Sequence, residues 1–284
     1  MSKRGKNINL YLMDGEPNGR IKCGLLNWTG VAYKIPKTLL DKCNDIKYLK
    51  QSGVYFLYGT DKDENPAVYI GQAGVRKNKE GLLYRIKEPH NSIDYWTEAI
   101  MFTTTNDSFG PTEISYLENR FCNLALKANR YKIKNLNDPN PGNLTEEKES
   151  EMEEFIDYAK IVMGALGHKI FVPYITDNSL ADDNEPVLYF GKANCPAKGQ
   201  RTSEGFVVLK GITISQQTVK SCPEGAIRDR KKFSDIIGED YILKDDILFN
   251  SPSAAAAFVG GASLSGNELW KTVDGVLLKD LDGK

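Results

Sequence analysis

Hydrophobic and polar positions alternate in short runs over the first third of the chain and recur at helical spacing in its middle. Val54 to Tyr58 (VYFLY) and Val68 to Ile70 (VYI) are β-rich runs that flank the polar loop TDKDENPA, the pattern of a hairpin with a longer connection. Pairing about the loop centre sets Tyr55 opposite Tyr69, and Gly71 lets a backbone or a ligand approach closely. Upstream, INLYLMDG and LLNWTGVAYKIP are short β-like runs around the turn signal DGEPNG. The following TLLDKCNDIKYLKQ reads as a short helix with Leu40, Cys43 and Ile46 on one side. Beyond the hairpin, Leu82, Leu83 and Ile86 predict a short helix stopped by Pro89, and AIMFTTT (Ala99 to Thr105) predicts a third strand.

PTEISYLENRFCNLALKAN is the clearest helix. Pro111 suits its first turn, and Ile114, Leu117, Phe121, Leu124, Ala125 and Ala128 repeat at helical spacing. On a wheel of ~100° per residue, Glu118 falls about 40° from Ile114, beside Ala125. A carboxylate on a core-facing stripe needs a cation, a donor network or a metal; a salt bridge with Arg85 is one such solution. Glu113 lies on another face, where it is a favourable charge near the helix N-terminus. TEEKESEMEEFIDYAKIVMGALG is an acidic helix packed through Met152, Phe155, Ile156, Ala159 and Met163, its charge run forming a solvated face. From about His168 a second unit begins. VLYFGK, GFVVLKGITI and VDGVLLKDL look like strands, and RDRKKFSDII and SPSAAAAFVGG look helical, with Ser251 or Ser253 as cap and Pro252 at the start.

The order GVY then YIG resembles the defining motif of the GIY-YIG nucleases, with Val54 in place of the usual isoleucine. The resemblance implies an α+β fold with a small three-stranded antiparallel sheet flanked by helices. It also implies a metal-dependent endonuclease that hydrolyses phosphodiester bonds in DNA. In that family pattern Tyr55 is the general base and Tyr69 positions the phosphate or water, while Gly53 and Gly71 keep the pocket open. Arg85, on the helix after YIG, matches the arginine that reaches the phosphate, a role for which the fixed fork of a guanidinium is suited. Glu118, in a Leu-Glu context, matches the ligand of Mg²⁺ or Mn²⁺. His90 stands five residues after the arginine where relatives often place a histidine at four. Asn129 sits at the usual distance for a family asparagine, and Asn135 is its rival. The basic loop Arg76, Lys77, Lys79 is either a solvated surface or a contact to a phosphate backbone.

The stretch LFNSPSAAAAFVGGASLSGNELWK, preceded by GFVVLKG, resembles an uncharacterised C-terminal domain attached to GIY-YIG nucleases. Its Trp270 and the basic run Arg228 to Lys232 are open to two readings, nucleic-acid contact or packing and solvation. The expected organisation is an N-terminal β module (1–50), a nuclease domain with its acidic C-terminal helix (51–167) and a C-terminal domain (168–284).

Composition narrows the chemistry. Of the 284 residues, 40% are hydrophobic and 26% charged, as in an ordinary globular protein. Two histidines exclude His-rich zinc sites and leave few ways to build a Ser-His-Asp triad. Five cysteines without a CxxC pair argue against a disulfide framework and a zinc ribbon. Hard oxygen ligands then favour magnesium or manganese. The net charge of −1 is not the footprint of a protein that coats nucleic acid, yet residues 70–135 hold ten Lys or Arg against seven acids. No apolar stretch reaches membrane-spanning length and the start lacks a signal-peptide core, so the expectation is a cytoplasmic protein without membrane contact. Two alternatives stand beside a DNA endonuclease: a nucleic-acid binding module that has kept the fold without turnover, and a nuclease for RNA or modified nucleotides.

Overall fold

The computed structural model describes residues 5–62, 65–75, 81–89, 93, 95–135, 139–174, 185–191 and 195–281. The chain forms two compact units, Met1–Pro173 and Tyr174–Lys284, both of mixed α and β structure. Among the described residues no helix is long and apolar enough to cross a membrane, and the five cysteines are buried outside any disulfide.

The first unit is built on one sheet of seven strands: β1 (Ile8–Leu12), β2 (Ile21–Leu25), β3 (Gly30–Pro36), β4 (Gly53–Thr60), β5 (Pro66–Ala73), β6 (Tyr95–Thr104) and β7 (Lys132–Ile133). Their order across the sheet is β1-β2-β3-β6-β4-β5-β7. All neighbours are antiparallel except β5 and β7. The hairpin and the third strand do adjoin, as β6-β4-β5, but the small three-stranded sheet is widened on both sides. On its other side β6 pairs through Glu98–Thr104 with the seven residues of β3, so β1, β2 and β3 join this sheet instead of standing as a separate module.

Strand periodicity of two divides the core. Val54, Phe56 and Tyr58 of β4, with Ile100 and Phe102 of β6, face α2 (Pro111–Ala128) and α3 (Glu146–Ala165). Tyr55 and Leu57, with Ala99 and Met101, face α1 (Leu82–Lys87) and the segment 37–50. That segment is two 3₁₀ turns, Lys37–Cys43 and Lys47–Lys50, and not an α-helix. Leu40, Cys43, Ile46 and Leu49 recur every third residue, the period of a 3₁₀ helix. Pro111 opens α2, and the Glu113 side chain accepts from the Gly110 N–H at 3.1 Å. Arg120 of α2 grips Glu153 of α3 with one edge of its guanidinium, Nε donating to Oε1 and Nη2 to Oε2, so one residue of the acidic helix is structural. His168 stacks on Tyr58 at 3.8 Å, which moves the unit boundary from 167/168 to 173/174.

The second unit has strands β8 (Leu188–Phe190), β9 (Lys198–Thr202), β10 (Gly205–Val208), β11 (Ile247–Phe249) and β12 (Trp270–Lys271), ordered β11-β10-β9-β8-β12 and antiparallel throughout. Three helices accompany them: α4 (Glu224–Lys232), α5 (Pro252–Gly260) and α6 (Gly266–Leu269). Ser251 Oγ caps α5 by accepting from the Ala254 N–H at 3.2 Å, and Ser253 Oγ accepts from the Gly266 N–H at 3.1 Å. Both serines of the SPS run therefore hold backbone. Trp270 is fully buried between Phe190 and Phe206 and donates to the Pro252 carbonyl at 3.1 Å. Arg230 donates to the carbonyls of Ser215, Phe258 and Val259, closing the C-terminal end of α5. Packing is thus the role of both residues. VDGVLLKDL is a turn followed by a 3₁₀ helix at Leu278–Asp280, not a strand, because its hydrophobic positions do not alternate.

Candidate active site

The β4–β5 hairpin closes at Asp61, whose N–H donates to the Asn65 carbonyl and whose carboxylate accepts from the Asn65 N–H. Thr60 consequently pairs with Pro66, Leu57 with Tyr69, and Tyr55 with Gly71. Tyr55 therefore lies opposite Gly71, two residues from the expected partner. A shift of two preserves the face, so the Tyr55 and Tyr69 rings still meet diagonally at 6.1 Å.

This register explains both glycines. A side-chain carbon on Gly71 would stand 2.6 Å from the Tyr55 hydroxyl oxygen and 2.5 Å from the ring carbon that bears it. One on Gly53 would strike the Phe102 carbonyl and come within 2.6 Å of Leu82. The space is occupied by the protein itself, so the two glycines admit Tyr55 and β6 and do not hold a pocket open. Gly71→Ala should lower stability by about 1–3 kcal/mol, the range for overpacking a filled core, because the buried Tyr55 ring has nowhere to swing. The midpoint of urea unfolding checks this; an unchanged midpoint would show that the ring is free to move.

Tyr55 is fully buried, whereas Tyr69 is half-buried. Burial pushes the Tyr55 phenol well above the usual tyrosine range, with Tyr69 and the charge of Glu118 acting the same way and Arg85 acting against them. Arg85 stands half-buried on α1 and pairs with Glu88 at 2.7 Å. Glu118 comes from α2 on the other layer. Its Oε2 accepts from Gln72 Nε2 at 2.9 Å, and the same amide donates to Ser115 Oγ at 3.1 Å. Oε1 accepts no hydrogen bond among the described residues, and Glu118 forms no ion pair there. Burial raises the Glu118 pKa, while the Gln72 bond and the Arg85 charge lower it.

Four of the expected residues, Tyr55, Tyr69, Arg85 and Glu118, therefore gather about Tyr55: its ring meets that of Tyr69, and the charges of Arg85 and Glu118 both act on its phenol. Other expected residues fall elsewhere. Asn129 is exposed at the left-handed C-cap of α2, with φ of 50°, which is a helix-ending role. Asn135 is the asparagine beside the motif: it accepts from the Ile70 N–H at 3.1 Å and donates to the Ile70 carbonyl at 2.7 Å. His90, Arg76 and Lys77 lie outside the described residues. Gln72 and Ser115 received no role from the sequence, although both were legible. Gln72 directly follows YIG in the same strand, and Ser115 lies three residues before Glu118 on the same helix face.

Residues 188–282 match the family profile of a domain of unknown function (DUF4357), which lies within the second unit and holds the SPSAAAAF helix and Trp270. No curated protein and no solved structure matches the chain.

Proposed function

We propose that the first unit is a GIY-YIG type phosphodiesterase that hydrolyses DNA with a divalent metal. The supporting observation is that the hairpin register brings the Tyr55 and Tyr69 rings within 6.1 Å of each other while Gln72 of the same strand holds Glu118 of α2 at 2.9 Å. The donor set suits a hard ion. Glu118 is half-buried, one of its oxygens accepts no hydrogen bond among the described residues, and Mg²⁺ keeps most of its waters and takes only one or two carboxylates beside substrate phosphate. Glu118 would hold Mg²⁺ or Mn²⁺ there, and the ion when bound would supply Lewis-acid polarisation of a phosphate oxygen. The Gln72 amide fixes the rotamer of Glu118. Arg85 exchanges its half-exposed pairing with Glu88, a weak one in such a setting, for the phosphate and stabilises the charge that develops on it. Tyr69, the more exposed phenol, orients the phosphate or the attacking water.

Tyr55 is the base in this reading, and its burial makes the assignment testable. A group that must lose a proton to act, and whose pKa is raised, gives a rate that climbs with pH through the alkaline range. Burial of the same phenol favours a second reading, a binding module without turnover. Single-turnover assays on duplex, branched and single-stranded DNA and on RNA, with Mg²⁺ or Mn²⁺ and with chelator, separate the two. Arg85→Ala should weaken binding about tenfold and slow cleavage about a hundredfold further. Wild type that binds these substrates and cuts none of them decides for the binding module.

A further inference from the structure

A second polar cluster lies at the other end of β4, on the face that carries Tyr58. The register of β6 against β4 slips there: Tyr58 pairs with Glu98, but Gly59 pairs with Trp96 and Thr60 with Tyr95, so Thr97 is an extra residue. Such a bulge reverses the facing of everything beyond it. Trp96 accordingly packs with Tyr55, Leu57 and Ala99, although its even number would otherwise set it with Ile100 and Phe102. Tyr95 is turned by the same slip onto the face of Tyr58 and Glu98. The bulge requires a glycine, since any side chain on Gly59 would strike the Tyr95 carbonyl.

The result is an open cavity of about 310 Å³ lined by Tyr58, Gly59, Thr60, Tyr95, Thr97, Glu98, Tyr131 and His168. His168 stacks on Tyr58 at 3.8 Å, and Tyr131 meets Tyr58 edge-on at 5.4 Å. Glu98 accepts from His168 Nε2 at 2.7 Å and pairs with Lys34 at 3.1 Å, so both of its oxygens are engaged. With its nitrogen Nε2 donating, His168 leaves Nδ1 to accept from the Tyr131 hydroxyl at 3.4 Å. The carboxylate is thereby neutralised, and the cavity is an aromatic chamber with hydroxyls at its edge. Tyr95, 62% exposed, stands at its mouth.

We propose that this cavity receives one unstacked nucleobase. An unpaired carboxylate would call for a cation; here the charges are balanced, and the exposed ring of Tyr95, the half-buried ring of Tyr131 and the exposed threonines Thr60 and Thr97 face a planar neutral group, the arrangement by which aromatic platforms hold single bases. The inference rests on the nucleic-acid reading above and adds a place for a base outside the cluster around Glu118.

The test is calorimetric titration of the full chain with the four deoxynucleoside monophosphates, with deoxyribose 5-phosphate and with short single-stranded oligonucleotides. Nucleotides should bind at least about tenfold tighter than the sugar phosphate, and Tyr95→Ala should remove about tenfold while Tyr95→Phe retains the affinity. Tyr95 dependence seen only with oligonucleotides assigns the base to a strand; dependence with monophosphates assigns it to a free nucleotide. Equal binding of sugar phosphate and nucleotides, with oligonucleotide affinity untouched by Tyr95→Ala, overturns the proposal. Cleavage measured on the same proteins separates the two readings: Glu118-dependent cutting without a Tyr95 effect removes the base site alone, and Tyr95-dependent binding without any cutting removes the nuclease alone.

Discussion

Glu118→Gln should make the protein more stable and leave it unable to cut. Burial raises the Glu118 pKa in the folded state, so the folded protein holds this proton more tightly than the unfolded chain. The stability tied to it is fully present below the ordinary glutamate value of ~4.3 and is lost as pH rises through the folded pKa. At neutral pH the carboxylate therefore opposes folding. Glutamine removes the charge and keeps an oxygen for the Gln72 amide, which now donates at 2.9 Å. The urea midpoint should rise at pH 7, and the advantage over wild type should shrink toward pH 4. Single-turnover cleavage should fall at least about a thousandfold, equivalent to ~4 kcal/mol of lost charge stabilisation, while affinity for DNA survives. A residue kept only for structure predicts the opposite sign in the midpoint, so a drop in stability at pH 7 would remove the functional assignment.

Trp270→Ala should all but unfold the second unit. The indole is fully buried against Phe190 and Phe206 and ties β12 to the first turn of α5 through Pro252. Truncating a buried aromatic of this size costs about 3–5 kcal/mol, a large part of the ~5–15 kcal/mol that holds a domain together. Hydrogen exchange at the amides of β10 and α5 is the measurement, and those amides should lose most of their protection. Trp270→Phe keeps the ring contacts and loses only the bond to the Pro252 carbonyl, so its loss should be about 1 kcal/mol. If the indole instead contacted nucleic acid, alanine would weaken binding and leave exchange unchanged.

The elements with strong local signals were readable from the sequence. Pro111 and the spacing of Ile114, Leu117 and Phe121 mark a helix that is there, and Ser251 with Pro252 marks another. What escaped was set by contacts between distant residues. The loop does not reveal the hairpin register, because the Asp61–Asn65 closure fixes it from inside. The width of the sheet escaped because β3 finds its partner about 65 residues downstream, in β6. The 3₁₀ turns at 37–50 were misread because positions three apart suit both helix types until Leu49 extends the series. At the site, Glu118 was legible as a carboxylate on an apolar stripe. Its partner was not, since nothing in the spacing joins Gln72 to position 118. The bulge at Thr97 left no sequence mark beyond a glycine in the facing strand, and with it went any sign that Tyr95, Glu98 and His168 meet.

The Asn135 side chain has a further consequence, for solubility. A strand at the rim of a sheet displays a repeating row of donors and acceptors that can template a strand from another molecule. On the motif strand β5 that row is taken as far as Ile70: Lys132 and Ile133 pair with Ala67 and Val68, the Lys134 N–H takes the Val68 carbonyl, and Asn135 takes both groups of Ile70. An amide side chain thus finishes what two residues of backbone begin. The opposite rim is different, for β1 has one strand partner among the described residues and exposes Leu10, Tyr11 and Leu12. Self-association under stress should therefore begin at Ile8–Leu12, six strand positions from β7, and a lysine at Tyr11 is the change that should suppress it.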